Sequence, residues 1–310
     1  QVIKTGNNTG LEIKAAANEA DVIYPDRVFD HIVTRHKPMI LDMLENFKKA
    51  QKDVSILNGF GSYNLGIILH GKPGTGKTSM IKAICNYLGR DAFIVKLDHI
   101  KTSSQFDAIF SARPIESTVY VFEEFDCVQG VVANREKKYI NDGKTENDNS
   151  SEDASSRLKQ SLKDEYFKVL DMKARATSKE NADGFTKDLE RIQIDIDQID
   201  KALRLDTILT CLDGLVEARG RVIIATTNFI DNIDSALMRE GRFDMKIRLD
   251  EFNEEEVREL LNMMFKNNLT KEEIDYMNDT PLASDKFTPV QIINICSIHR
   301  RNFKNIINIL

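Results

Sequence analysis

This sequence has few cysteines, no excess of positive charge and no long apolar run. Its four cysteines, Cys85, Cys127, Cys211 and Cys296, are scattered without a C-x-x-C pair, which argues against disulfides or a zinc site and favours a reducing compartment. The net charge of −6 disfavours electrostatic binding of nucleic acid. No apolar run approaches the roughly 18 residues of a membrane-spanning helix, and we expect no signal peptide within this sequence. Because the first residue is Gln1 and not Met, we expect any membrane anchor to lie upstream of this chain.

Short apolar runs separated by helical patterns make up most of the chain. Runs of this length are typical of strands buried on both faces, and the helices between them make the sheet parallel. We therefore predict an α/β fold with a parallel sheet of five strands flanked by helices. The predicted strands are Ile67–His70, Ala92–Leu97, Val119–Phe122, Val222–Thr226 and Met245–Leu249. A helical pattern from about Arg27 to Lys52 precedes them.

The composition divides the chain into an N-terminal segment, an α/β core and a small helical lid. We place these parts at residues 1–23, 24–250 and 251–310, with a charged insertion at about 130–203. Within the insertion, Asn141–Ser156 is too polar to offset its ordering entropy, so we expect a mobile loop there. Two amphipathic helices on either side of Asn181–Gly184 follow, as a solvated extension or as a partner-binding surface. Three helix starts in the lid are indicated by Asn253 with Glu256, Thr270 with Glu273, and Thr288 with Gln291.

The most specific motif runs from Gly71 to Thr78 and fits the phosphate-loop pattern G-x-x-x-x-G-K-[ST] in full. Its glycines let backbone N–H groups turn towards phosphate oxygens, and the helix that follows directs its positive end at the same anion. Lys77 is predicted to reach the outer phosphates, and the Thr78 hydroxyl to bind Mg²⁺. The predicted nucleotide-binding residues are Gly71, Pro73, Gly74, Thr75, Gly76, Lys77, Thr78 and Ser79.

Two other predicted strands end in polar residues suited to phosphoryl chemistry. The strand at Val119–Phe122 is followed by Glu123, which we assign to the metal, and by Glu124, which we assign to the attacking water. The strand at Val222–Thr226 leads to Asn228, whose amide can bind the water or the γ-phosphate. Downstream, Arg239 and Arg242 are either surface charges or arginines that act on a neighbouring subunit's nucleotide, which requires a ring.

Together these motifs resemble the AAA ATPases over roughly Tyr24 to Leu310, apart from the insertion. The run Ala225-Thr226-Thr227-Asn228 with Asp234-x-Ala236-Leu237-x-Arg239-x-Gly241-Arg242-Phe243-Asp244 is similar to that family's second region of homology. Within the family, the residues around the phosphate loop, Val121–Cys127, Leu212-Asp213-Gly214-Leu215 and Thr288-Pro289-Val290-Gln291 look most like the mitochondrial translocases of the Rieske iron–sulfur protein. Glu123 departs from the aspartate usual at its position.

The resemblance implies an ATPase that uses ATP and Mg²⁺, with Lys77, Glu124, Asn228, Arg239 and Arg242 as catalytic residues. It also implies a homo-oligomeric ring of six or seven subunits that remodels or translocates a protein, in the cytoplasm or on the matrix side of mitochondria. The loop at residues 98–104 lacks the aromatic-apolar-Gly triplet of threading unfoldases, which favours folded cargo. Two alternatives stay open: an ATP-gated oligomeric scaffold and a nucleic-acid-associated motor or loader.

Overall fold

A computed structural model describes most of the chain outside the N-terminal segment and the polar part of the insertion. The described residues are 20–23, 26–53, 64–97, 100, 102–127, 151–175, 179–201, 203–213, 220–239, 241–265, 268–282, 284–299 and 302–310. The N-terminal segment before residue 20 and residues 141–150 of the loop predicted at Asn141–Ser156 lie outside them. In the described part, no helix has both the length and the apolar character needed to cross a membrane.

The core is a sheet that contains the five predicted parallel strands and one strand that the sequence did not reveal. The strands are β1 (Ala20–Ile23), β2 (Leu65–His70), β3 (Asp91–Lys96), β4 (Thr118–Glu123), β5 (Val222–Thr227) and β6 (Met245–Arg248). Their spatial order is β1-β3-β4-β5-β2-β6. β1 is antiparallel to β3, with Asp21 opposite Ile94, and it covers an edge that would otherwise expose unpaired backbone groups.

Alternate residues of the central strands supply two separate apolar layers. Val119 and Val121 of β4 face α1 (Lys37–Lys52) and α2 (Lys77–Leu88), whereas Tyr120 and Phe122 face α3 (Ser103–Ser111) and α6 (Leu205–Asp213). Successive side chains of each strand point to opposite faces, and both faces are covered by helices. Each strand is therefore a continuous apolar run in the sequence. α1 begins at Lys37 and not near Arg27, because Pro38 belongs in the first helical turn and disfavours helix before it.

The described part of the insertion contains two long helices, α4 (Ser151–Ala174) and α5 (Lys179–Lys201). The predicted helix break at Asn181–Gly184 is wrong, because α5 runs through these residues. The predicted loop also extended too far, since the helical backbone begins at Ser151. Burial of Leu189, Ile192 and Ile196 stabilises α5 enough to offset the cost of a helical glycine, about 1 kcal/mol.

Four C-terminal helices follow the sheet and surround an apolar cluster of their own. They are α7 (Glu254–Phe265), α8 (Lys271–Asp279), α9 (Pro289–Ile298) and α10 (Phe303–Ile309). The three predicted helix starts are confirmed, because reciprocal capping hydrogen bonds join Asn253 to Glu256, Thr270 to Glu273, and Thr288 to Gln291. Val33, from the segment before α1, packs into the same cluster and so connects the core to these helices.

Candidate functional site

The phosphate loop lies at the carboxyl end of β2 and leads into α2. Gly71, Gly74 and Gly76 have φ values of 141°, 82° and 97°, a backbone region that favours glycine. A Cβ on Gly71 would lie 1.8 Å from the carbonyl oxygen of Leu249, so no other residue fits there without moving the backbone. Around Gly76 a Cβ would meet no atom within 4 Å, so this position requires glycine for its backbone angle alone. The loop therefore has the left-handed turns that a phosphate cradle needs.

Lys77, the first residue of α2, directs its ammonium group back over the loop. Its Nζ atom donates to the carbonyl oxygens of Gly71 and Lys72 at 2.6 and 3.0 Å, and to the Asn228 side-chain oxygen at 2.8 Å. Asn228 follows β5, so the structure brings together two residues that the sequence assigned to one site. Burial lowers the pKa of Lys77, and the negative charge of Asp126 opposes that shift.

The other predicted loop residues differ in exposure. Thr75 is buried, and its hydroxyl donates to the Lys72 carbonyl oxygen at 2.8 Å, which fixes the loop from inside. Pro73 is exposed, whereas Ser79 borders the cavity described below. Thr78 is exposed at the second position of α2, where its hydroxyl is accessible to a ligand.

At the end of β4 the chain turns sharply between two predicted carboxylates. Glu123 is the half-buried last residue of the strand, and Glu124 is exposed with a φ of 50°, an uncommon value for a residue with a side chain. The Glu124 N–H donates to the Thr226 hydroxyl of β5 at 3.2 Å, which helps to hold the turn. This left-handed turn separates Glu124 from Glu123 and leaves its carboxylate accessible at the carboxyl edge of the sheet.

The sequence did not assign a role to Asp126, which lies in the short turn after Glu124. Its Oδ1 atom is buried and has no hydrogen-bond partner within the described part of the chain. Phe125 beside it is buried and packs against Phe122 and Phe243, which anchors the turn. An unpaired buried oxygen is costly, so Asp126 is suited to accept a hydrogen bond from a ligand or its hydration shell. Its only sequence signal was its position two residues after Glu124.

A cavity of about 370 Å³ opens beside the phosphate loop, within the range of ligand pockets, roughly 300–1,000 Å³. Its walls come from the segment before α1, the start of α2, the end of β6 and the C-terminal helices. Residues from these four parts include Ile32, Met80, Leu249, Met263 and Ile293. Sequence reasoning missed this cavity, because no local pattern shows that residues 27–36 and α9 meet across the loop.

The C-terminal helices contact the loop directly. The Val290 N–H of α9 donates to the Gly74 carbonyl oxygen at 3.4 Å. Lys72 forms an ion pair with Glu251 at 2.5 Å, and this hydrogen bond lowers the pKa of Glu251. Movement of the C-terminal helices would therefore change the contacts that hold the phosphate loop.

Comparison with known proteins agrees with this geometry. The chain matches the sequence profile of the "ATPase family associated with various cellular activities (AAA)" over residues 67–251, which is more than half of its length. The chain belongs to the AAA family of ATPases.

Similar AAA proteins include two from a plant and one from a virus. The chain is 30% identical to the AAA-ATPase At5g57480 and 27% to the AAA-ATPase At3g28600, both from Arabidopsis thaliana, over 69% and 70% of its length. These alignments span only 35% and 36% of the two plant proteins. The AAA family ATPase L572 of Acanthamoeba polyphaga mimivirus is 26% identical over 73% of this chain and 96% of its own length.

The residues at the carboxyl edge of the sheet fit the nucleoside triphosphate and Mg²⁺ that an AAA domain implies. The glycine turns leave room for phosphate oxygens, and the Lys77 ammonium supplies positive charge. Thr78 and Glu123 offer the oxygen ligands that Mg²⁺ prefers. In the described residues no cluster of three or more histidine, cysteine or acidic side chains forms a metal site. In phosphate-binding sites Mg²⁺ is usually held by one or two protein ligands together with nucleotide phosphates and water.

The two predicted arginines do not lie at this AAA nucleotide site. A Cβ on Gly66, near the amino end of β2, would collide with the Arg242 carbonyl oxygen at 1.8 Å, whereas the phosphate loop follows the carboxyl end. Arg239 is exposed nearby. The six residues of β2 place its two ends roughly 16 Å apart, at about 3.3 Å per residue. Arg242 is therefore remote from the phosphate loop of its own chain.

At the amino edge, Arg242 forms a bidentate ion pair with Asp213, the last residue of α6. Its Nη2 atom lies 2.6 Å from Oδ2 of Asp213, its Nε atom donates to Oδ1, and Nη1 donates to the Ala236 carbonyl oxygen. The Arg242 side chain is only 11% exposed, and this contact lowers the pKa of Asp213. In the sequence, Asp213 is visible only as part of the family resemblance. Its pairing with Arg242 could not be predicted, because the two residues are 29 positions apart.

Proposed function

We propose that this chain is one subunit of a homo-oligomeric ring that hydrolyses Mg-ATP and uses the turnover to remodel or translocate a protein. The observation that carries the proposal is the separation of Arg242 from the phosphate loop by the length of β2. Because Arg242 is remote from its own phosphate loop, any nucleotide that it contacts must be held by another subunit. Arginine supplied in this way accelerates nucleotide hydrolysis by about 10³–10⁵ in other phosphate-loop enzymes.

In the proposed reaction, a water oxygen forms a bond to the γ-phosphorus while the bond from that phosphorus to the bridging oxygen of ADP breaks. The products are ADP and inorganic phosphate, and Glu124 accepts the proton that the water loses. Lys77 donates to the outer phosphate oxygens and gives up its hydrogen bonds to the backbone carbonyls of the loop. The Asn228 amide orients the water or the γ-phosphate. When bound, Mg²⁺ held by Thr78 and Glu123 neutralises charge on the phosphates.

The trans arrangement can be tested by mixing two inactive variants. Lys77→Ala subunits should not bind nucleotide but still carry Arg242, whereas Arg242→Ala subunits should bind ATP but lack the arginine. Each variant alone should be inactive, and the mixture should recover part of the wild-type turnover. Failure of the mixture to recover any turnover, with both variants folded and assembled, would overturn the proposal.

A protein substrate is supported by the motif resemblance to the Rieske-protein translocases and by the net charge of −6, which does not favour nucleic acid. On this proposal the protein works in the cytoplasm or on the matrix side of mitochondria. Turnover that rises on addition of DNA or RNA would instead indicate a nucleic-acid motor. A ring whose size depends on ATP, but whose turnover is negligible, would indicate a scaffold.

A further inference from the structure

Arg221, the residue immediately before β5, is a buried arginine with an unusual set of partners. It is only 4% exposed, and in the described part of the chain its Nη1 and Nη2 atoms donate to backbone carbonyls and not to a carboxylate. Its Nη1 and Nη2 atoms each donate at 2.7 Å, to the carbonyl oxygens of Cys211 and Leu212. Both carbonyls belong to the last turn of α6. Arg221 therefore binds the end of a helix and not a single counter-ion.

This contact is chemically specific to arginine. The last carbonyls of a helix have no partner within the helix, and the helix end carries about half a negative charge. A planar guanidinium donates to two such carbonyls in fixed directions from two nitrogens, whereas the ammonium of lysine donates in diverging directions from one atom. The Arg221 guanidinium also stacks 5.1 Å from the Phe110 ring, which restricts its orientation. Arg221 is thus suited to hold the end of α6 in one position.

The end of α6 is also what holds Arg242. Asp213 directly follows the two carbonyls that Arg221 binds, and both of its carboxylate oxygens accept from Arg242. The contacts therefore form a short series from Arg221 to the α6 terminus, then to Asp213, and then to Arg242. A shift of the helix end would move the Asp213 carboxylate and, with it, the Arg242 guanidinium.

We infer that Arg221 is a positioning residue for ATP hydrolysis in a neighbouring subunit, because it fixes the α6 terminus whose Asp213 orients Arg242. The inference rests on the proposed trans action of Arg242. Arg221 itself touches no nucleotide, since it lies at the amino end of β5 and the site lies at the carboxyl end. A substitution of Arg221 must therefore slow hydrolysis when it is placed in the subunit that supplies Arg242. It must not do so when it is placed in the subunit that binds the ATP.

Mixed rings can separate this role from a purely structural one. Subunits with Lys77→Ala act only as donors of Arg242, and subunits with Arg242→Ala act only as acceptors, so turnover in the mixture reports donor-to-acceptor contacts alone. Arg221→Lys is then added to either the donor or the acceptor. We expect a loss of about 10- to 100-fold in kcat from the donor position, the cost of a small misplacement of a catalytic group. The same substitution in the acceptor should leave kcat and binding of a fluorescent ATP analogue nearly unchanged.

Arg258→Lys is the matched control, because Arg258 also donates to carbonyls at a helix end, those of Met277 and Thr280 around the end of α8. It should affect turnover at least as much in the acceptor as in the donor, because α7 borders the cavity beside the phosphate loop. Asp213→Asn, at a half-exposed position that folding tolerates more easily, should reproduce the donor-specific loss. Equal effects of Arg221→Lys in both positions, or no effect in the donor, would overturn the inference while trans action stands. A parent mixture without any turnover would overturn the proposed function, and the inference with it.

Discussion

The Lys77 ammonium donates to the Asn228 side-chain oxygen at 2.8 Å, across 151 residues of sequence. The contact joins the start of α2 to the end of β5, which is adjacent to β2 in the sheet. An ammonium group has three donors, and the three contacts to Gly71, Lys72 and Asn228 use all of them. Phosphate binding must therefore replace at least one of these contacts, and exchange of the two backbone contacts would leave Asn228 hydrogen-bonded to Lys77 beside the phosphate.

Replacement of Asn228 with alanine should preserve ATP binding but slow hydrolysis. The amide is expected to act on the water or the γ-phosphate, and loss of one such polar contact typically lowers kcat by about 10²–10³. Steady-state turnover and titration with a fluorescent ATP analogue would measure the two effects separately. Asn232→Ala, an exposed position in the next turn, should change neither. A large loss of binding with unchanged kcat would contradict the assigned role.

Gly71→Ala should destabilise the protein and abolish nucleotide binding. The new Cβ would meet the Leu249 carbonyl oxygen at 1.8 Å, and the backbone has a φ of 141°, so we expect a loss of at least about 2 kcal/mol in the free energy of unfolding. Chemical denaturation would measure it. The matched control is Gly184→Ala within α5, where a Cβ meets no atom within 4 Å. That substitution should stabilise the helix by up to about 1 kcal/mol.

Substitutions of Arg35 and Glu256 should have strongly non-additive effects on the free energy of unfolding. Glu256 is only 5% exposed and accepts from the backbone N–H, Nε and Nη2 of Arg35 as well as from the Asn253 N–H. Arg35→Ala removes two of these donors and should cost about 1–3 kcal/mol. Both residues border the cavity, so nucleotide affinity should fall as well.

A double-mutant cycle with Glu256→Gln measures the Arg35–Glu256 coupling directly. Lys49→Ala is the control, since Lys49 forms an exposed ion pair with Glu45 on α1 and should change stability by less than about 0.5 kcal/mol. Additive effects of Arg35→Ala and Glu256→Gln would show that the two side chains do not interact as described.

The Asp213–Arg242 pair should make stability depend on pH only in acid. The pair lowers the pKa of Asp213, so its contribution is complete above the ordinary aspartate pKa and is lost as the pH falls through the lowered value. The stability difference between wild type and Asp213→Asn should be constant above about pH 5 and shrink below about pH 4. Denaturation series at several pH values would measure it. A difference that changes between pH 6 and pH 9 would contradict this assignment.

Local patterns in the sequence were sufficient for the phosphate loop, the five parallel strands and the three capped helix starts. Each of these depends on residues close together in the chain, such as Thr288 with Gln291. β1 was missed because four residues carry too little periodicity, and its strand character comes from pairing with β3. The α5 helix continues through Gly184 because packing of its apolar face outweighs glycine's weak helix propensity.

The parts of the site that the sequence did not reveal depend on distant contacts. Asp213 meets Arg242 over 29 residues, and residues 27–36 face α9 across the cavity. Arg221 was not distinguishable from a surface arginine until its burial and its two carbonyl partners were known. The separation of Arg242 from the phosphate loop was likewise a result of sheet topology and not of sequence spacing.

The most direct test of an ATP-hydrolysing site at the carboxyl edge is a comparison of Glu124→Gln with Glu116→Gln. Both are exposed glutamates, but Glu116 lies just before the amino end of β4 and Glu124 just after its carboxyl end. We predict that Glu124→Gln binds ATP with wild-type affinity and hydrolyses it about 10²–10⁴ times more slowly, whereas Glu116→Gln is unchanged. Wild-type turnover in the Glu124→Gln variant would contradict the account.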